Sequence, residues 1–61
     1  RALTLKERKE MQRRLTARGF DTQGIDGRIG PLTVSAVRAF QVASGMTPDG
    51  YASLNLLRRL R

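Results

Sequence analysis

Apolar positions recur along this chain at helical spacing and nowhere alternate with period two over a useful length. In "LTLKERKEMQRRLTARGF", Met11 and Leu15 fall four residues apart on one face, while Lys6, Lys9 and Arg13 fall on the opposite one. Thr4 and Glu7 stand at capping-box spacing. Gly19 suits the left-handed residue that ends a helix, with Phe20 folding back on Leu15. These signals predict a first helix over roughly 4–18. Pro31 suits a first helical position, and Leu32, Ala36, Val37 and Phe40 then make an apolar stripe that Ala43 extends. Gly45 supplies the stop and Met46 can close on Phe40, so a second helix is expected over roughly 31–44. Pro48-Asp49-Gly50 reads as a turn, Ser53 as a cap, and Leu54, Leu57 and Leu60 as the stripe of a shorter third helix. The expected fold class is all-α, a small three-helix bundle.

The turns echo one another. Laying Asp49-Gly50 over Asp26-Gly27 places Leu57 and Leu60 on Val34 and Val37. Two Asp-Gly turn-helix units of similar design would then pack on each other, with the first helix closing the bundle. An Asp-Gly pair is a turn first: the carboxylate accepts from backbone N–H groups just ahead, and glycine tolerates positive φ. Gly19, Asp26, Gly27, Gly30, Asp49 and Gly50 are therefore read as turn-forming residues. A calcium loop is excluded, because setting Gly27 at the loop glycine puts Thr22 and Gly24 where carboxylates or amides are required.

Composition narrows the chemistry. At 61 residues the chain makes one domain of marginal stability, and without cysteine or histidine it has neither disulfides nor the usual zinc ligands. No metal or cofactor is expected, and no apolar run approaches a membrane span. The first residue is Arg1 and no signal-peptide pattern follows, so residues 1–61 read as a single domain excised from a longer protein. Ten arginines and two lysines against five acids give a net charge of +7, which calls for an anionic partner. Catalysis is not expected. Glycan hydrolysis needs two carboxylates across a cleft, whereas Asp26 and Asp49 belong to turns and Glu7 and Glu10 to a basic helix. No serine or threonine has a partner base.

The stretch "MQRRLTARGFDTQGIDGRIGPLTVSAVRAFQVASGMTPDG" resembles the three-helix peptidoglycan-binding domain of bacterial cell-wall hydrolases. Gln12, Leu15, Gly19, Phe20, Asp26, Gly27, Gly30, Thr33, Ala36, Val37, Phe40, Gln41, Gly45, Asp49 and Gly50 meet that family's ordered pattern, with Met11 in place of its usual leucine. The tail "YASLNLLRRL" departs from the family's second Gly-x-x-Thr and is similar to the variant at the end of lytic murein transglycosylases. The resemblance implies a non-catalytic, monomeric module that binds peptidoglycan and anchors an attached enzyme in the periplasm or cell envelope.

The residues themselves suggest how. Phe20 and Phe40 are assigned to the core, leaving Tyr51 as the ring able to reach a ligand. Stem-peptide carboxylates suit arginine's planar fork, and Arg28 and Arg38 are placed for it. The expected site is a groove between the first loop and the turn before the third helix, formed by Gln23, Arg28, Ile29, Arg38, Gln41 and Tyr51. The alternative is a small basic nucleic-acid-binding helical domain, since three helices, +7 and a terminal "RRLR" fit one. Two features oppose it: the connection from Gly45 to Ser53 is long for a helix-turn-helix, and the would-be recognition helix opens on Leu54-Asn55-Leu56-Leu57, nearly without base-reading groups.

Overall fold

The computed structural model describes residues 2–61 as three helices, α1 (Leu5–Ala17), α2 (Pro31–Ala43) and α3 (Leu54–Leu60). Local chemistry sets their ends. Thr4 Oγ1 accepts from the Glu7 N–H at 3.2 Å while Glu7 Oε1 accepts from the Thr4 N–H at 2.9 Å, a complete capping box. Pro31 opens α2 behind Gly30, and Ser53 Oγ accepts from the Leu56 N–H to open α3. Both long helices close in Schellman motifs. Gly19 (φ +90°) lets the Phe20 N–H reach the Leu15 carbonyl at 2.9 Å, and Gly45 (φ +71°) lets Met46 reach Gln41 at 2.8 Å.

α1 is the shared partner. In the described residues the helix-to-helix contacts run from α1 to α2 and from α1 to α3. The backbones of α2 and α3 each approach α1 most closely, while the second turn packs on α2, with Gly50 against Val34 and Arg38. Met11 and Leu15 from α1 meet Ala36, Val37 and Phe40 from α2 and Leu56, Leu57 and Leu60 from α3. Leu3, preceding α1, closes one end, and Phe20 meets Phe40 edge-on with centroids 5.9 Å apart. Full burial of one such leucine stabilises by about 2 kcal/mol, and the core holds five of them besides half-buried Leu54.

Three expectations about the stripes need correcting. Leu32 is 51% exposed and Ala43 is exposed, because no element lies over that side of α2. In α3 Leu57 and Leu60 are buried as expected, but Leu56 is fully buried with them, while Leu54 is only half-buried. A seven-residue helix has too few turns for periodicity to fix its inner face.

Basic side chains tie the ends together. Arg61 binds Glu10 with both Nε (2.9 Å) and Nη2 (3.0 Å), and Arg14 joins from one turn along α1 at 2.9 Å. These bonds, Arg61 first and Arg14 second, hold the Glu10 carboxyl down at about 2. Arg18 donates to the Leu60 carbonyl and lies over the Phe40 ring.

Candidate ligand-binding site

Two buried glutamines organise the loops. Gln12, on the inner arc of α1, is 1% exposed, and its Oε1 accepts from the Gly27 N–H at 2.8 Å. Its Nε2 donates to the Arg28 carbonyl at 2.9 Å, with Thr33 Oγ1 at 3.2 Å and Asp26 Oδ1 at 3.4 Å. Gln41, 3% exposed on α2, repeats the arrangement: Oε1 accepts from the Gly50 N–H and Nε2 donates to Asp49 Oδ1, each at 2.9 Å. In each turn the carboxylate also accepts from the N–H two residues on, Arg28 at 2.8 Å and Tyr51 at 2.9 Å. Those N–H groups are the first cause of both aspartates' lowered pKa. Partial desolvation opposes the shift at both sites.

Both glycines press on a helix. A Cβ on Gly27 (φ +78°) would collide with the Leu5 side chain, and one on Gly50 (φ +72°) would lie 2.9 Å from Val34 Cγ1 and 3.0 Å from Arg38 Nε. The echo in sequence is thus an echo in hydrogen bonding, and in the register of the Asp-Gly pairs Tyr51 corresponds to Arg28 and the Ser53 cap to Gly30.

Around these clasps the surface forms two clefts. One, of about 340 Å³, has an apolar floor of Leu3, Val34 and Ala52 between Ile29 and Tyr51, with Gly50 at its base. Tyr51 is 63% exposed, and Arg38 lies against the Gly50 backbone at the margin of this cleft. The other, of about 260 Å³, lies at the start of α2. Gln23, Arg28 and Leu32 are among its lining residues. The single groove expected from sequence is therefore split: Ile29 and Tyr51 line one cleft, with Arg38 outside its lining beside Gly50, and Gln23 and Arg28 line the other. Gln41 belongs to neither rim. It is drawn inside by Asp49 and Gly50, with both ends of its amide bonded.

Sequence reasoning gave no role to Gln12, Leu3 or Arg8. Arg8 donates to the Gly27 carbonyl at 2.6 Å and the Leu3 carbonyl at 2.8 Å, fixing the chain before α1 as a wall of the larger cleft. The available signal for the glutamines was their position: each directly follows a core residue, Met11 or Phe40, on the inner arc of its helix.

The profile of the family described as "Putative peptidoglycan binding domain" matches residues 4–60. The chain belongs to this peptidoglycan-binding domain family. The domain superposes with a TM-score of 0.95 on SltB3 from Pseudomonas aeruginosa in complex with NAG-NAM-pentapeptide, at 47% sequence identity. The same figures hold for SltB3 in complex with NAG-anhNAM-pentapeptide. Each match covers 98% of this domain and 16% of the SltB3 chain. No curated protein sequence matches significantly. Family membership and the likeness to SltB3 support peptidoglycan binding and a cell-envelope setting. Among the described residues no helix is long and apolar enough to cross a membrane.

Proposed function

We propose that this peptidoglycan-binding domain is a non-catalytic, monomeric anchor. It holds an attached lytic murein transglycosylase on the wall of a periplasmic cell envelope by taking a stem-peptide carboxylate at the larger cleft. The observation that carries the reading is the pairing of an apolar floor with a cation at its margin. Leu3, Val34 and Ala52 suit the methyl groups of a short aliphatic peptide, Ile29 and Tyr51 flank it, and Arg38 offers a planar donor pair to its carboxylate. The match to one-sixth of a longer enzyme supports residues 1–61 being a domain of a larger protein. Carbohydrate stacking has a lesser part, since Tyr51 is the single exposed aromatic ring among the described residues. The nucleic-acid reading loses support from α3, whose first turn buries Leu56 and Leu57.

Titrating the domain with soluble NAG-NAM-pentapeptide tests the reading. Tyr51→Ala and Arg38→Gln are each expected to weaken binding about tenfold, the loss of one good contact, while Arg28→Gln leaves it unchanged. Wild-type affinity in both cleft variants would overturn this assignment, and a loss confined to Arg28→Gln would move the site to the smaller cleft.

A further inference from the structure

The acids and bases of this domain are unevenly matched. All five carboxylates are engaged locally: Glu7 in the capping box, Glu10 with Arg14 and Arg61, Asp21 on the Gln23 N–H, and Asp26 and Asp49 in their turns. On α1, Lys6, Lys9 and Arg13 fall within roughly 60° of arc and span about 10 Å of helix. Among the described residues no hydrogen bond or ion pair reaches any of the three. They project away from the face of Met11, Gln12 and Leu15 that meets the core, and none lines either cleft. A cationic stripe and an apolar cleft with a cation at its margin therefore occupy different sides of one small body.

We propose that Lys6, Lys9 and Arg13 form a second wall-binding surface, which contacts carboxylates of a neighbouring peptidoglycan strand while the cleft holds a stem of the first. The inference rests on the cell-wall reading above. Peptidoglycan is a network with free carboxylates repeated along every strand, so a domain with two faces is held by two contacts, the second made at high effective concentration. A soluble muropeptide offers one stem at a time and engages the cleft alone. The stripe adds no shaped pocket; its contribution is Coulombic and falls as salt shortens the screening length from about 14 Å to about 4 Å between 0.05 and 0.5 M.

The test compares Lys6→Gln/Lys9→Gln/Arg13→Gln with the wild type on purified sacculi, soluble NAG-NAM-pentapeptide and vesicles of anionic phospholipid. Glutamine removes charge while keeping helix propensity, and circular dichroism verifies the fold. The triple variant is expected to lose about tenfold in sacculus retention at 0.05 M salt, to match the wild type at 0.5 M, and to bind the muropeptide as the wild type does. Unchanged retention at low salt would overturn the proposal, and so would a matching loss of muropeptide binding. Equal, stripe-dependent binding of the wild type to the vesicles would also overturn it, assigning the stripe to lipid headgroups. Tyr51→Ala separates the two readings: if it leaves muropeptide binding intact, the cleft assignment fails while the stripe is still judged by the triple variant.

Discussion

The two clasps use the same three residue types to different ends. In the first, Gln12 lies beneath a long loop and holds it at several points: the Gly27 N–H, the Arg28 carbonyl, Thr33 Oγ1 and, at longer range, Asp26. In the second, Gln41 meets only its own turn, at Gly50 and Asp49. Where the first clasp presents Arg28, the second presents Tyr51, 63% exposed beside an apolar floor. The first thus joins α1, the loop and the start of α2 into one unit, and the second aims a side chain at a cleft. Duplicated turn chemistry leaves one copy to build the scaffold and the other to build the proposed site.

The strongest way to break that contrast is to remove each amide in turn. Gln12→Leu strands the buried Gly27 N–H and removes the main partner of the Arg28 carbonyl, at about 1–3 kcal/mol for each unsatisfied group, or about 3–4 kcal/mol together. A domain of this size holds only about 3–9 kcal/mol in total, so urea unfolding should show a fraction of molecules unfolded even without denaturant. Gln41→Leu strands one buried N–H and should cost about 2 kcal/mol. Its urea midpoint should lie between those of Gln12→Leu and the wild type. Equal losses would mean that the clasps are energetically equivalent and that the extra bonds of Gln12 contribute nothing.

The glycines should reverse this order. Alanine at either position carries the left-handed penalty of about 1–2 kcal/mol, so the difference lies in what its Cβ meets. At Gly27 it meets the end of Leu5, which is 51% exposed and can swing into solvent. At Gly50 it meets Val34 Cγ1 at 2.9 Å, on a β-branched side chain whose χ1 is held by its helix. Gly50→Ala should therefore destabilise by about 1 kcal/mol more than Gly27→Ala, and should also weaken muropeptide binding, because Val34 is part of the cleft floor. A larger effect at Gly27 would show that Leu5 is less free to move than its exposure suggests.

Much of this molecule was legible because much of it is local. Thr4 with Glu7, Gly19 with Phe20, Gly45 with Met46, and Ser53 each exchange hydrogen bonds within a few residues, so their spacing alone places the helix ends to within a residue. Leu32 was misread because periodicity finds an apolar stripe without asking whether anything covers it. Gln41 was misread for a related reason: a polar residue on a helix suggests a surface, and the partners that bury it, Asp49 and Gly50, lie across a turn. The cleft was half legible. Tyr51 and Ile29 are loop residues with evident reach, but the floor they flank includes Leu3, placed there by Arg8 through two carbonyls that no local pattern connects.

The smallest effect expected is also the sharpest discriminator, because here the second clasp exceeds the first. Gln41 Nε2 lies 2.9 Å from Asp49 Oδ1, whereas Gln12 Nε2 is 3.4 Å from Asp26 Oδ1 and is shared with closer acceptors. Behind the N–H of Tyr51, the Gln41 amide is the second cause of Asp49's lowered pKa. At Asp26, Gln12 ranks behind both the Arg28 N–H and the opposing desolvation. Both carboxyls are depressed in the folded state, so each contributes stability that is present above the unfolded pKa of about 4 and is lost as pH falls through the lower folded value. Gln→Met changes, followed by carboxyl-carbon NMR titration of the folded-state resonances, should raise Asp49 in the Gln41 variant by more than they raise Asp26 in the Gln12 variant. The acid limb of the Gln41 variant's stability should also flatten, since part of the linkage is gone. If Asp26 moves further, the long Gln12–Asp26 contact is a true hydrogen bond in solution, and the first clasp governs its carboxylate as firmly as it governs its backbone.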